Sequence, residues 1–119
     1  EAVTLMETNL EEPLSPDDLA YHVGLSRRHL ERLFKKHLDS VPSRFYLQLR
    51  LDKARQMLRD TDRSIVEVGM ACGFSSASHF STTYRTHFNL TPRQERGRAT
   101  HVESAPSWTH SVAIQRRLD

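Results

Sequence analysis

Cysteine, glycine and proline are scarce in this chain of 119 residues, and each scarcity excludes a class of protein. The single cysteine, Cys72, excludes an internal disulfide and favours a reducing compartment, so we expect a cytoplasmic protein. Four glycines and five prolines are too few for a low-complexity chain. No apolar run approaches the ~20 residues that a membrane-spanning helix needs, so no membrane partner is expected.

Sequence motifs for catalysis or metal binding are also missing. The chain has no glycine-rich phosphate loop, no Cys/His set with metal-ligand spacing and no nucleophile triad. Cys72 and His79 could form a nucleophilic pair, but no acidic group or anion hole accompanies them. Asp17 and Asp18 are better explained as acids at a helix start. We therefore predict neither an enzyme nor a cofactor nor a metal site.

Charge is unevenly distributed, although the net charge is only +2. Residues 1–19 carry six acidic side chains and no lysine or arginine, whereas residues 20–61 carry ten basic side chains against four acidic ones. A local excess of positive charge favours a polyanionic partner such as nucleic acid. The first residue is Glu1 and no signal-peptide pattern follows, so we expect part of a longer protein.

An internal repeat organises the chain. Residues 19–42 share a pattern of glycine, serine, histidine and proline with residues 68–92, at an offset of 49 to 50. Each copy predicts a short helix that runs into a glycine turn, at Gly24 or Gly73, and then a longer helix with serine at its N-cap. This order is typical of a helix-turn-helix unit. Because apolar residues recur at three- and four-residue steps, we expect an all-α fold.

Helix boundaries carry recognisable signals. The first helix of each copy is expected to start at Ser15-Pro16-Asp17-Asp18 or at the capping box Ser64-Ile65-Val66-Glu67. The second is expected to end in the left-handed conformation, at Asp39 or Asn89. Its core side chains are predicted to be Leu30, Leu33, Phe34 and Leu38 in one copy and Phe80, Tyr84 and Phe88 in the other. Cys72 aligns with Val23 and is expected to be a small buried residue.

A continuous helix is predicted between the copies, with an apolar face at Leu47, Leu51, Ala54 and Leu58. About 18 residues span roughly 27 Å, which is comparable to the ~34 Å repeat of the major groove. Such a helix would hold two helix-turn-helix units over adjacent grooves. The predicted organisation is a first unit at 1–41, a linker helix at 42–60, a second unit at 61–97 and an irregular or flexible tail at 98–119.

With these residues laid out, the chain resembles the DNA-binding domain of AraC/XylS-family transcription activators over about residues 3–97. The second copy carries the family framework at Arg50-Leu51, Ala54, Leu58, Ile65, Val68-Gly69, Gly73-Phe74, Phe80, Tyr84, Phe88-Asn89 and Thr91-Pro92. The first is similar at Leu19-Ala20, Gly24-Leu25-Ser26, His29-Leu30, Arg32 and Phe34-Lys35-Lys36. Residues 78–81 and 91–96 are similar to the subfamily with an upstream glutamine-amidotransferase-like sensor domain.

The resemblance implies a bacterial regulator that binds double-stranded DNA at a promoter or operator. It also implies RNA polymerase as a further partner and an upstream effector-sensing domain that is missing from this chain. The sequence departs from the family at Asp39 and Asn89, where glycine is usual, and at Glu95, where an aromatic residue is usual. Thr82 stands where the family commonly has Arg or Lys, so the second unit is expected to contribute less to base readout than the first.

Candidate DNA contacts follow from the family's recognition positions. Base contacts are expected from Arg27, Arg28, Glu31 and Arg32 in the first unit and from Ala77, Ser78, His79, Ser81 and Thr82 in the second. Arginine can bind a guanine edge with two donors, worth ~1–3 kcal/mol of discrimination, so the first unit is expected to dominate base readout. Phosphate contacts are expected from Ser26, Lys35, Lys36, Arg50, Arg55, Ser76, Arg85 and Thr91.

A second function stays open at this point. Glu31 could accept a hydrogen bond from cytosine or only pair with a neighbouring arginine. The two units could also form a protein-interaction module, for example one that docks on RNA polymerase. Salt dependence separates the two functions, because binding to phosphates releases counterions and weakens steeply with salt.

Overall fold

Seven α-helices make up the part of the chain that the computed structural model describes, residues 1–103, with side chains as far as Arg98. They are α1 Ala2–Thr8, α2 Pro16–Val23, α3 Arg27–Leu38, α4 Pro42–Asp60, α5 Ile65–Ala71, α6 Ala77–Phe88 and α7 Pro92–Glu103. No strand occurs among the described residues, and the predicted all-α class is confirmed. None of these helices is long and apolar enough to cross a membrane.

The local signals at the helix ends behave as predicted. Serine side chains cap α2, α3, α5 and α6, each by accepting a hydrogen bond from the backbone N–H three residues further on. At Ser64 the full capping box forms. Gly24 and Gly73 have φ of 72° and 87°, and Asp39 and Asn89 have φ of 49° and 63°. The two copies of the repeat therefore share their turn geometry.

Helix α4 contributes to two separate hydrophobic cores. Its first half supplies Tyr46 to the core of the first unit, which also buries Met6, Leu19, Ala20, Leu30 and Phe34. Its second half supplies the core of the second unit, in which Leu51, Ala54, Met57, Leu58, Val68, Cys72, Phe74, Phe80 and Tyr84 are buried. Since α3 and α6 each pack into one of these cores, α4 positions both of them.

A few predicted core positions are more exposed than expected. Leu38 is 41% exposed because it is the last residue of α3, where the chain turns away at Asp39. Leu33 and Phe88 are half-buried. Conversely, α1 was not expected: seven residues make fewer than two helical turns, which is too short for a clear period, yet Met6 on this helix is fully buried.

The last helix extends further toward the C-terminus than predicted. An irregular tail is expected from residue 98, whereas α7 continues the helix to Glu103. The start of α7 is well capped, since Thr91 Oγ1 accepts from the Gln94 N–H at 3.1 Å and Gln94 Oε1 accepts from the Thr91 N–H at 2.8 Å. The predictions for residues 104–119 lie outside the described residues.

A buried carboxylate fastens α7 to the second unit. Glu95 is 0% exposed; its Oε1 accepts from the Tyr84 hydroxyl at 2.7 Å and its Oε2 from Arg59 Nε at 3.0 Å. Arg55 Nε lies 2.9 Å from Oε1 as an ion pair, without the alignment of a hydrogen bond. Burial alone would raise the pKa of Glu95. The Tyr84 hydrogen bond and the two arginines outweigh burial, so the pKa lies below its ordinary 4.5.

This network makes stability depend on acid pH. A carboxylate with a lowered folded pKa stabilises the fold above the pKa of the unfolded chain, near 4.5, and that stability is lost as pH falls through the lower folded value. We expect Glu95→Ala to lower the free energy of unfolding by about 3 kcal/mol at pH 7, because it leaves buried partners unpaired. Urea unfolding at pH 7 and pH 3 measures both effects, and the variant should lose less stability on acidification than the unaltered chain.

Glu12→Ala is the matched control, since Glu12 is exposed and outside every ion pair reported for residues 1–98. It should change stability by less than about 0.5 kcal/mol. Equal urea midpoints for the two variants would show that the Glu95 network does not stabilise the domain.

Candidate nucleic-acid interface

The outward face of α3 is cationic. Leu30 and Phe34 are buried in the first core, and Glu31 and Arg32 between them are exposed. The structure thereby brings together on one exposed face the side chains predicted for the first unit, which are Arg27, Arg28, Glu31, Arg32, Lys35 and Lys36. This face is a continuous surface that a polyanion can reach.

Arg27 and Glu31 pair with each other on this face. Arg27 Nε donates to Glu31 Oε1 at 3.2 Å, and another nitrogen of Arg27 lies 3.6 Å from Asp17 of α2. All three side chains are largely exposed, so these pairs are worth only ~0–1 kcal/mol. Of the two roles left open for Glu31, the structure without DNA shows the pairing with arginine.

The remaining cations of α3 are mostly unpaired. Lys35 Nζ lies 2.8 Å from Asp39 and lowers the pKa of that carboxyl. Arg28, Arg32 and Lys36 are exposed and form no hydrogen bond or ion pair among the described residues. Arg28 and Arg32 are four residues apart and therefore neighbours on the helix surface. They are the two long donors most available to a partner.

The equivalent face of α6 carries shorter side chains and, apart from Arg85, no arginine or lysine. The repeat places Ala77, Ser78 and Thr82 where α3 has Arg27, Arg28 and Arg32, and all three are exposed. His79 is exposed too, and its ring packs against Phe74 with the ring centres 5.6 Å apart.

The flanks of α6 show two further placements. Ser81 is half-buried beside Phe80, so it lies on the flank and not on the outward face. Arg85 is exposed at the position equivalent to Lys35. The N-termini of α3, α6 and α7 carry their expected capping residues, Ser26, Ser76 and Thr91. Backbone N–H groups in such first turns attract anions.

Two arginines of α4 lie elsewhere than expected. Arg50 is half-buried, and its Nε and Nη2 donate to the carbonyls of Cys72 and Gly73, both at 2.8 Å. Arg55 lies 4.8 Å from the centre of the Phe88 ring and pairs with Glu95. Both guanidinium groups therefore bind groups of this chain where phosphate contacts were predicted, because both residues face the second unit.

Cys72 and His79 do not form a catalytic pair. Cys72 is fully buried, and its Sγ lies 3.9 Å from Met57 Sδ, whereas His79 is exposed on α6. Burial raises the pKa of the Cys72 thiol to about 11, so the thiolate is scarce at neutral pH. Within residues 1–103 no group of three or more His, Cys, Asp or Glu is arranged to hold a metal ion.

The buried thiol should be inert. At pH 8 we expect an aromatic disulfide reagent to modify Cys72 roughly a hundred-fold more slowly in the folded chain than in urea, where its pKa returns to near 8.5. The absorbance of the released thiolate follows the reaction. Rapid modification of the folded chain would contradict the placement of Cys72 in the core.

Known proteins share both this architecture and the sequence. The family model described as a helix-turn-helix domain matches residues 19–98. A crystal structure of an AraC-type transcriptional regulator from Chromobacterium violaceum is 66% identical with a TM-score of 0.80, covering 83% of this chain and 88% of that one. This chain belongs to the AraC-type helix-turn-helix family. The predicted family membership is thus confirmed.

Curated relatives of the AraC-type domain are transcription regulators and not enzymes, as predicted. The HTH-type transcriptional regulator ArgR of Pseudomonas aeruginosa is 57% identical over 96 residues, which are 81% of this chain and 29% of ArgR. GbdR of the same organism is also 57% identical over 81% of this chain, and the match covers 26% of GbdR. The AraC-type chain thus spans less than a third of the length of these relatives.

One structural relative was solved with its ligand. The DNA-binding domain of AdpA, in complex with a target DNA, is 27% identical with a TM-score of 0.76. The match covers 81% of this chain and 86% of that domain.

Sequence reasoning did not predict the contacts by which Tyr46 and Arg50 of the AraC-type domain position its helices. Tyr46 holds the loop between α1 and α2, and Arg50 holds the turn between α5 and α6. The sequence carries a weak signal for each contact. Tyr46 lies one helical turn before Arg50 on a helix whose apolar face was assigned from its leucines, and Arg50 is next to the buried Leu51.

Proposed function

We propose that this AraC-type domain binds double-stranded DNA sequence-specifically, with α3 and α6 entering adjacent major grooves. The observation that carries this is the pair of equivalent serine-capped helices, each with an exposed outer face and each packed on one half of α4. The complex of the AdpA domain with its target supports the same use of the fold here.

Helix α3 supplies most of the base readout in this proposal. Arg28 and Arg32 are exposed and unpaired among the described residues, and each can bind a guanine edge through two donors. Glu31 and Arg27 exchange their mutual ion pair for contacts with cytosine and guanine at little cost, because exposed pairs are weak.

Helix α6 supplies positioning and shape readout. Its candidate contacts reach only a thymine methyl group or a single hydrogen-bonding atom, and they are Ala77, Ser78, His79, Ser81 and Thr82. Phosphates are bound by Lys35, Lys36 and Arg85 and by the helix starts at Ser26, Ser76 and Thr91. Arg50 and Arg55 have no place in this set, because their guanidinium groups bind the protein itself.

The rest of the regulator lies outside this chain. Since the AraC-type domain matches only 29% of ArgR, we infer an upstream effector-sensing domain, of glutamine-amidotransferase-like type by resemblance at residues 78–81 and 91–96. We propose RNA polymerase as the second partner of the regulator at a promoter. The cytoplasm, where bacterial DNA lies, is the proposed location.

Selection of bound duplexes from a random DNA pool tests the proposal directly. On the selected site, Arg28→Ala and Arg32→Ala should each weaken binding by about 1–3 kcal/mol and relax the preference at one base position. Arg44→Ala removes an exposed cation of α4 that is not among the proposed contacts and should change the affinity less than two-fold. Unchanged affinity and preference in Arg32→Ala would show that α3 does not read bases.

Salt dependence separates DNA binding from a protein-interaction function. Lys36→Ala should weaken binding to all duplexes alike and reduce the slope of log affinity against log salt by about one. Fluorescence anisotropy from 50 to 300 mM salt measures both slopes. A wild-type slope near zero would favour the protein-interaction module instead.

A further inference from the structure

We propose that Arg50 is a positioning residue, which locks the second helix-turn-helix unit to the first and thereby sets the spacing of the two DNA half-sites. This inference rests on the proposed function. Arg50 lies where α4 passes from one core to the other: Leu49 packs with the first core and Leu51 is buried in the second.

The guanidinium of Arg50 holds the turn that leads into α6. Nε donates to the Cys72 carbonyl and Nη2 to the Gly73 carbonyl, and the group lies 4.4 Å from the centre of the Phe74 ring. Ser76, the N-cap of α6, follows two residues later. Because a charged donor makes stronger hydrogen bonds than a neutral one, this turn is firmly attached to α4.

The same turn contacts the first unit directly. A Cβ atom on Gly73 would lie 2.5 Å from the Leu10 carbonyl oxygen and 2.7 Å from Pro13 Cγ. The loop between α1 and α2 is thus packed tightly on the turn between α5 and α6. Glycine is needed here both for this approach and for its φ of 87°.

Tyr46 completes the junction, one helical turn before Arg50. Its hydroxyl accepts from the Leu14 N–H at 3.1 Å and donates to the Asn9 carbonyl. Tyr46 therefore holds the loop of the first unit, Arg50 holds the turn of the second, and loop and turn press against each other. Movement of α6 relative to α3 would have to break at least one of these three attachments.

The geometry requires arginine and not merely a positive charge. Two nitrogens of one planar group donate to two successive carbonyls, and the compact ammonium of lysine, whose three donors share one nitrogen, does not reproduce this fork. Arg50→Lys therefore separates positioning from phosphate binding: it keeps the charge and removes the fork. We expect the salt slope of Arg50→Lys to equal that of the unaltered chain.

If Arg50 positions the two units, its substitution must change how strongly the affinity depends on the spacing between the DNA half-sites. Each inserted base pair rotates one half-site by about 34° relative to the other, so a rigid pair of units cannot engage both after two insertions. We expect the unaltered chain to bind its selected duplex about ten-fold or more better than the same duplex with two base pairs inserted. For Arg50→Lys this ratio should fall to about three-fold or less.

Two further variants complete the binding experiment. Tyr46→Phe keeps the ring in the core, loses both hydroxyl contacts and should relax the spacing in the same direction. Lys53→Ala removes an exposed cation of α4 and should keep the affinity ratio of the unaltered chain for the selected over the lengthened duplex. The inference would be overturned if Arg50→Lys and Lys53→Ala had equal affinity ratios for the two duplexes, or if Arg50→Lys had a lower salt slope than the unaltered chain.

A measurement without DNA keeps this inference distinct from the proposed function. Spin labels at His37→Cys and His87→Cys, two exposed and equivalent positions on α3 and α6, report the distance between the helices, while buried Cys72 stays unlabelled. We expect a clearly broader distance distribution in Arg50→Lys and Tyr46→Phe than in Lys53→Ala, with the same helical content by circular dichroism.

Failure of the inference on Arg50 and failure of the proposed function give different results. Equal widths in all variants would overturn the role of Arg50, whether or not DNA is bound. An unaltered chain that selects no duplex from the random pool would overturn the proposed function, while the distance distributions still decide whether Arg50 locks the two units.

Discussion

The shared use of α4 by two hydrophobic cores is the constraint on which the rest of the domain depends. A helix of 19 residues is stiff over its ~28 Å, so whatever packs on its two halves is held at a set separation. Tyr46 enters the first core, and Leu51, Ala54 and Leu58 enter the second. Burial of these side chains, at ~1.5–3 kcal/mol for each large one, opposes any rearrangement of α3 or α6 on α4.

Polar attachments supply what apolar packing leaves undetermined. Hydrophobic burial is non-directional, whereas hydrogen bonds from Arg50 and Tyr46 and the ion pairs of Glu95 require particular geometries. Each of these contacts joins segments from different helices. Arginines of α4 thus connect the parts of the domain, while Arg28 and Arg32 of α3 form no hydrogen bond or ion pair among the described residues.

Local features of this fold are predictable from the sequence, and contacts between distant segments are not. Serine caps, the left-handed residues Asp39 and Asn89 and the burial of Cys72 all follow from short-range chemistry or from the repeat itself. The candidate contacts of α3 are exposed together because their spacing places them opposite the buried Leu30 and Phe34. The contacts that Arg50 and Arg55 make within the domain were not predicted, because their partners lie 22 to 40 residues away and no periodicity reveals such pairs.

The two copies of the repeat share one backbone architecture but expose different side chains. Three arginines on one copy correspond to alanine, serine and threonine on the other, although caps, turns and cores coincide. If α3 and α6 read DNA as proposed, the domain has polarity along the double helix, because α3 with its three arginines and α6 with its shorter side chains would contact different bases and could not be exchanged. In the proposed complex one copy of the domain would need no palindrome and would lie on its target in one direction only, so a domain attached to it would have a defined side, upstream or downstream.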